Sequence, residues 1–419
     1  MKLFIVANFT SLPDEPGNCR FNYIAKEISK SVPDTTLVTS SFSHVAKKQR
    51  KNVIYKENYK IIEIPEPGYR KNITLKRFYS HYVWGKRVAK FIKQEKPDVI
   101  YCAVPSLTVG SRLSKLCKKE HIKFIIDVQD LWPEAFQMVF NPPIIGNLIY
   151  MPFRRIANGI YSNADEIIAV SKTYAERAIK VNKKHAKALV VFLGTSLKKF
   201  DQNARQFRKI VRTGNNAERL IIVKNADGLA LNKPNDELWI AYCGTLGSSY
   251  DLETTVKAIS LKASEQIRLI VMGDGPLKDK LVKIAKVSNI KATFTGRIPY
   301  EMMCGVLANC DIAVNPIMPN AAQSIINKHA DYLAAGLPIV NTQDTKEFRR
   351  LVDKYKIGFN CDDDAEQLSK TILKLVDSAE LRRTLSKNSR KCAMELFDRE
   401  KKYIPIYDAL KERSRSKNA

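Results

Sequence analysis

Residues 310–342, CDIAVNPIMPNAAQSIINKHADYLAAGLPIVNT, hold a strand, a loop, a helix opening and a second strand in little more than thirty positions. Ile312 to Val314 and Pro338 to Val340 are short apolar runs, which read as buried parallel strands. Between them the pattern predicts one helix, roughly Ser324 to Ala335. Gly336 can take the left-handed conformation at its end, and Pro338 blocks continuation. The helix would then begin beyond the carboxyl end of the first strand, where open α/β sheets bind ligands. Backbone N–H groups from Ser324 to Asn327 would face that crevice with Lys328 beside them. An anion there gains about 0.3–1 kcal/mol from the helix dipole, and diphosphate suits the geometry best. The competing reading has Lys328 solvated and Asp331 on the helix surface.

The rest of the chain repeats this alternation. A length of 419 residues accommodates two domains, each with its own core. An apolar content of 45% and a charged content of 27% are those of a globular protein. The net charge of +27 is unusual and favours an anionic partner. Residues 1–200 carry 34 basic against 16 acidic side chains, so most of the excess lies in the first half. Its densest stretch is residues 70–96, with nine basic side chains and one acid, Glu95. Ile73, Phe78, Tyr82, Val83, Val88, Phe91 and Ile92 recur there at roughly helical spacing, as in a basic amphipathic helix that rests on an anionic membrane. A solvated surface helix is the alternative. The eight cysteines form no CxxC pair and show no metal-ligand spacing with the five histidines, so the expectation is reduced thiols in the cytoplasm and no metal site. MKLFIVANFT is too short in its apolar run for a signal peptide, and no run approaches a membrane span. Aromatic residues are not interleaved with the basic run as stacking on nucleic acid requires, so no nucleic-acid partner is expected.

In the first half, Leu3 to Ala7 reads as a buried strand, and a helix follows the loop of Pro13, Asp14, Pro16 and Gly17. Gly17 and Asn18 stand where backbone can approach a substrate, or serve only the turn. Thr36–Val38, Tyr59–Ile64, Asp98–Ala103 and Lys123–Val128 continue the strands. Directly after the last comes Asp127-Val-Gln-Asp-Leu-Trp-Pro-Glu134, whose acids at a strand's carboxyl end are placed for a crevice. Asp130 could instead cap the next helix, with Trp132 in the core. Residues 141–161 are apolar with an Arg154-Arg155 pair, and either touch lipid or pack within the domain. Residues 201–236 lose periodicity and read as a linker with a small excursion. Beyond them Leu238–Cys243 ends in Gly244-Thr245-Leu-Gly247, Ile267–Met272 in Gly273-Asp-Gly275-Pro, and a short strand in Gly296-Arg297-Ile-Pro299. The order of these turns carries more than any one of them.

NKHADYLAAGLPIV resembles the segment NK-x-x-E-Y-x-A-x-G-x-P-[IV]-[IV] of family 4 glycosyltransferases, and DLWPE resembles the family's R-D-L-W-P-E loop with Gln129 for Arg. The resemblance implies an α/β protein of the GT-B class: two Rossmann-like doubly wound domains facing a central cleft, residues 1–200 for the acceptor and 237–398 for a nucleotide-sugar. Residues 399–419 would form a basic tail that crosses back to the first domain. It further implies a donor held by a Glu pair eight residues apart, matched here by Gln323 and Asp331. Both depart from the pattern, as do Thr245 and Tyr250, which stand near the family's phosphate-gripping Arg and Lys.

By that resemblance Asp130, Gln323 and Lys328 are the catalytic candidates. Gly244, Thr245, Gly247, Gly273, Gly275, Arg297, Ser324 and Asp331 would bind the donor; Gly17, Asn18, Trp132 and Glu134 would bind the acceptor. The implied reaction is retaining transfer of a sugar from a nucleotide-sugar, UDP-linked for preference, to a glycan or polyprenyl-diphosphate-linked acceptor in polysaccharide assembly. The donor is a substrate, and no cofactor is expected. A protein that binds sugar-nucleotide without transferring, as partner of an active enzyme, is the competing reading.

Overall fold

The structure is a computed structural model, and it describes all residues except 16, 18, 52, 72, 73, 105, 140–145, 183, 185–187, 214, 215, 223–229, 262–265, 320–323 and 413–419. The chain divides into two compact units, Met1–Phe192 with Lys401–Ala419, and Leu193–Glu400.

In the first unit the elements run β1 (Leu3–Val6), α1 (Arg20–Ile28), β2 (Thr35–Ser40), β3 (Phe42–Ser43), β4 (Lys48–Gln49), β5 (Lys60–Ile64), α2 (Leu75–Glu95), β6 (Val99–Val104) and α3 (Leu107–Glu120). They continue through β7 (Lys123–Val128), α4 (Glu134–Val139), α5 (Gly146–Asn163), β8 (Glu166–Ala169), α6 (Lys172–Ile179) and β9 (Leu189–Val190). Seven strands form one parallel sheet in the order β5-β2-β1-β6-β7-β8-β9. Its central strands are buried on both faces, which is why they read as unbroken apolar runs rather than alternating ones.

The second unit holds α7 (Leu197–Gln206), β10 (Arg208–Thr213), β11 (Asn216–Ile222), β12 (Ala230–Lys233), β13 (Leu238–Cys243), α8 (Leu252–Ser260), β14 (Ile267–Met272), α9 (Lys278–Val287) and β15 (Lys291–Gly296). Then come α10 (Tyr300–Leu307), β16 (Ile312–Asn315), α11 (Asn327–Ala334), β17 (Ile339–Asn341), α12 (Lys346–Tyr355), β18 (Gly358–Asn360), α13 (Ala365–Val376) and α14 (Ala379–Cys392). A π-helical turn, Ala393–Phe397, and α15 (Arg399–Lys402) lead to α16 (Ile404–Lys411). The sheet order β15-β14-β13-β16-β17-β18, all parallel, reverses between β13 and β16. Both sheets are thus Rossmann-like, with their switch points at β1/β6 and β13/β16.

Two departures from the sequence reading have physical causes. The segment read as a linker, 201–236, belongs to the second unit: α7 carries it to residue 206, and β10, β11 and β12 pair as an antiparallel sheet. Its strands are short and broken by polar residues, so a period-2 pattern is hard to see. The helix expected from Ser324 begins at Asn327, because Ile326 is extended with φ −116° and ψ 165°. The C-terminal segment belongs to the first unit: Tyr403, Ile406 and Leu410 of α16 enter its core beside Phe21, Ile24 and Ile28, and Lys123 Nζ donates to the carbonyls of Ala409 and Glu412 near the end of α16. A lysine at a helix C-terminus satisfies carbonyls that have no partner within the helix.

Candidate functional site

At the switch point of the second unit, two glycine turns are stacked. A Cβ at Gly273 would lie 1.8 Å from the Gly244 carbonyl oxygen, and one at Gly275 would lie 2.4 Å from that of Leu246. Only glycine permits that approach. Leu246 N donates to Asp274 O at 3.0 Å and Leu277 N to Leu246 O at 3.1 Å, so the turn after β13 is held by the turn after β14. Tyr242 Oη donates to Thr245 O at 2.7 Å, while the Thr245 side chain is exposed. Gly247 accepts a bond at its carbonyl from Tyr250 N.

The loop after β16 is fixed by a buried ladder of amides. Asn315 Nδ2 donates to Asn341 Oδ1 (2.8 Å) and Gln343 Oε1 (3.0 Å), and Gln343 Nε2 donates to Ser324 O (2.8 Å). Ser324 Oγ in turn donates to Glu347 Oε2 at 2.8 Å. Ser324 therefore serves as a buried anchor two residues before the Ile326 cap, and its amide is not part of the first helical turn, contrary to the sequence reading. Gln323 lies outside the described residues. Ile326 N donates to His329 Nδ1 at 3.3 Å, and the His329 ring stacks on Phe348 with centroids 3.6 Å apart. Burial holds His329 well below its usual range, so the ring is neutral. Tyr332 Oη accepts from Cys243 N at 2.9 Å, which ties α11 to the end of β13.

These contacts deliver Lys328 to the Gly244 turn. Its side chain is only 7% exposed, and its Nζ has no hydrogen-bond partner. The ammonium lies 4.2 Å from the centre of the Tyr242 ring and 3.8 Å from that of Tyr250, which themselves meet edge to face. A Cβ at Gly244 would be 3.2 Å from Nζ. Ring quadrupoles stabilise a cation by about 0.5–2 kcal/mol, less than the cost of taking an ammonium out of water. Burial accordingly lowers Lys328 to about 7. One helical turn further, Asp331 accepts a bond from Tyr300 Oη at 2.7 Å, and Tyr300 Oη also meets Thr195 Oγ1 at 2.6 Å. Burial raises Asp331 to about 6, opposed by the Tyr300 bond and by Arg399. Arg297 is exposed. The structure thus brings together Gly244, Gly273, Gly275 and Lys328. Tyr242 and Tyr250 are the members that sequence reading missed; Tyr250 was weighed only as a lost cation.

In the first unit, Asp130 and Trp132 follow β7. Asp130 Oδ1 accepts from Leu131 N (2.9 Å) and Oδ2 from Trp132 Nε1 (3.2 Å), and burial raises its carboxyl. Glu134 is engaged elsewhere: Arg177 Nε donates to its Oε1 at 2.6 Å, joining α4 to α6. Gly17 is exposed with φ 138°, and Asn18 lies outside the described residues. Asp127, read as a crevice acid, is fully buried and ion-paired with Arg20 at 2.7 Å. A carboxylate in the middle of a parallel sheet needs such a partner, and Arg20 reaches it from α1.

The family model described as Glycosyltransferase Family 4 matches residues 23–199, and that described as Glycosyl transferases group 1 matches residues 224–392. The chain belongs to the family 4/group 1 glycosyltransferases. The chain is similar to a probable glycosyltransferase, WbjE, of Pseudomonas aeruginosa, at 23% identity over 57% of this chain and 56% of the relative. The match thus spans little more than half of that relative's length. Among solved structures it resembles sucrose-phosphate synthase of Thermosynechococcus elongatus, with a TM-score of 0.72 at 16% identity over 98% of both chains. It also resembles Anabaena HepE in complex with UDP, with a TM-score of 0.67 at 14% identity over 98% of this chain and 99% of that one. The fold is that of the GT-B glycosyltransferases.

Proposed function

We propose that the protein transfers a sugar, with retention of configuration, from a UDP-sugar bound by the second unit to a glycan or polyprenyl-diphosphate-linked acceptor bound by the first, in bacterial polysaccharide assembly. The observation that carries the reading is the Lys328 ammonium: buried, without a hydrogen-bond partner, in the first turn of a helix that opens at a switch point, beside a glycine turn. A charged group so placed is stabilised by an anion arriving next to it, and a donor diphosphate supplies one. HepE, similar in fold, binds UDP. In the reaction the bond from the anomeric carbon to the diphosphate oxygen breaks, and a bond to the acceptor oxygen forms on the same face. The acceptor proton passes to the departing diphosphate. Lys328 and the Gly244 turn stabilise the charge that develops there, and Asp130 orients the acceptor hydroxyl. Asp331, held by Tyr300, meets the ribose. No resident cofactor enters this scheme.

A lipid-linked acceptor would bring the protein to the inner face of the membrane. No helix among the described residues is long and apolar enough to cross one. Peripheral contact has a surface to use: on α2 Leu75 is 88% exposed and Tyr79 62%, and Phe78 meets Phe153 of α5 with ring centroids 5.9 Å apart. Leu148 and Ile149 of α5 are exposed as well, as are Lys76, Lys86, Arg87 and Lys90 of α2. Exposed apolar side chains with cations on the same helix suit an anionic bilayer.

Thermal shift with UDP, GDP and their sugar conjugates tests the donor. A nucleotide at 100 times its dissociation constant stabilises by about 2.7 kcal/mol. UDP compounds are expected to raise the melting point of the wild type and to lose most of that effect in Lys328→Ala. If no nucleotide shifts it, the donor site is wrong, and a partner protein without sugar-nucleotide chemistry is the better description.

A further inference from the structure

A second group of side chains sits at the carboxyl ends of the first unit's strands, and the scheme above leaves it unused. The Arg77 guanidinium, on the buried side of α2, lies 4.8 Å from the centre of the Trp132 ring, 5.5 Å from Phe9 and 5.6 Å from Tyr69. Lys47 Nζ lies 4.8 Å from the same Tyr69 ring and 3.3 Å from His44 Nδ1. Two cations therefore share one ring. Because a lysine ammonium can only donate, His44 Nδ1 accepts from Lys47, and the neutral His44 ring carries its proton on Nε2, which makes that nitrogen a donor; Nδ1 also faces Tyr69 Oη at 2.5 Å. His81 Nε2 stands 3.4 Å from Tyr69 Oη on the inner side.

We infer that Arg77, Lys47 and His44 form a subsite for a phosphate-type oxyanion of the acceptor, next to the hydroxyl that Asp130 orients. The inference rests on the first unit being the acceptor side of a glycosyltransferase. Three features support it. Arginine fork, lysine and imidazole N–H are donors suited to phosphate oxygens. Arg77 disfavours the charged forms of its neighbours: Lys47 falls to about 8, by burial first and then by Arg77, and His44 falls to about 3, by burial, Lys47 and Arg77, while Arg77 itself is lowered by burial, opposed by Tyr69, Glu66 and Asp130. Two acids face the group, Glu66, which accepts from Ser80 and Asn8, and Asp130, and burial raises both. An oxyanion would relieve the repulsion between Arg77 and Lys47. The aromatic walls would exclude water from it and strengthen each contact.

The test is nitrogen NMR of the five histidines in the full chain, with UDP at saturation so that the donor site is filled, during titration with inorganic pyrophosphate and separately with geranyl diphosphate. His44, assigned through His44→Gln, is expected to shift and to titrate at least one pH unit higher with pyrophosphate bound. Lys47→Gln, a change in a half-buried loop residue, is expected to weaken the apparent affinity at least fivefold. Tighter binding of geranyl diphosphate marks a lipid-linked source, and equal binding marks a free diphosphate; the oxyanion subsite holds in either case. If His44 does not respond while UDP still raises the melting point, the subsite is refuted and the donor reading survives. If Lys47→Gln leaves the affinity unchanged, the assignment of residues is wrong.

Discussion

The first unit buries Arg20 and the second buries Lys328 near the carboxyl ends of their sheets, and the two cations meet opposite fates. Arg20 donates from Nε to Asp127 Oδ2 at 2.7 Å and from Nη1, at 3.1 Å each, to the carbonyls of Val191 and Phe192 and to Tyr403 Oη. Tyr101 Oη adds a bond to the same carboxylate. Lys328 has two tyrosine rings and no hydrogen bond. The first cation is part of the architecture, joining α1, β7 and the C-terminal segment. The second is incomplete without a ligand. Burial alone does not mark a functional charge; a buried cation with neither ion pair nor hydrogen bond at a switch point does.

The comparison breaks most visibly at Arg20. Removing one partner of a buried pair leaves an uncompensated charge, so Arg20→Met is expected to destabilise the first unit by about 3–5 kcal/mol in urea unfolding. The same kind of change at Lys328 has the reverse balance. Lys328→Ala is expected to lower kcat/KM for sugar transfer by about 10²–10³, roughly 2.7–4 kcal/mol, as for loss of one preorganised donor, with little loss of stability. Equal destabilisation by both variants would erase the distinction.

A pH series sharpens it. Lys328 falls from 10.5 to about 7 because of burial. Between those values the unfolded chain binds the proton and the folded chain does not, so stability rises with pH across that window, by up to about 1.4 kcal/mol per unit. Below about 7 both forms are protonated and the penalty is constant. Lys328→Met is expected to remove this slope, read as the difference between variant and wild type in urea midpoints from pH 7 to 9.5. Binding of UDP at pH 8 should also take up close to one proton, about 0.9, measured by calorimetry in buffers of different ionisation enthalpy. The smallest effect is expected at Tyr300→Phe, which deletes one bond to Asp331 and costs about 1 kcal/mol, with a weaker UDP-sugar response.

How far this was legible from residue order varies by region. Strands such as LFIV and LWIAYC lie wholly or almost wholly inside their sheets, so their apolar runs announced them. The turns at Gly244, Gly273 and Gly275 were marked by glycine after a strand, and their stacking explains why no other residue fits. Asp127 was misjudged because nothing local distinguishes an acid that faces a crevice from one that meets an arginine 107 positions away. Arg77, His44 and Lys47 were passed over because they come from three separate places, the buried side of a basic helix and two positions in a short hairpin.

The sequence by itself determined the two parallel sheets, the order of their glycine turns and a helix that carries Lys328 near its start, since these depend on local periodicity and backbone sterics. Only the tertiary structure decided which charges are closed and which are open, and that α16 completes the first unit's core. Those outcomes depend on contacts between residues far apart in the chain, and no local pattern encodes a partner.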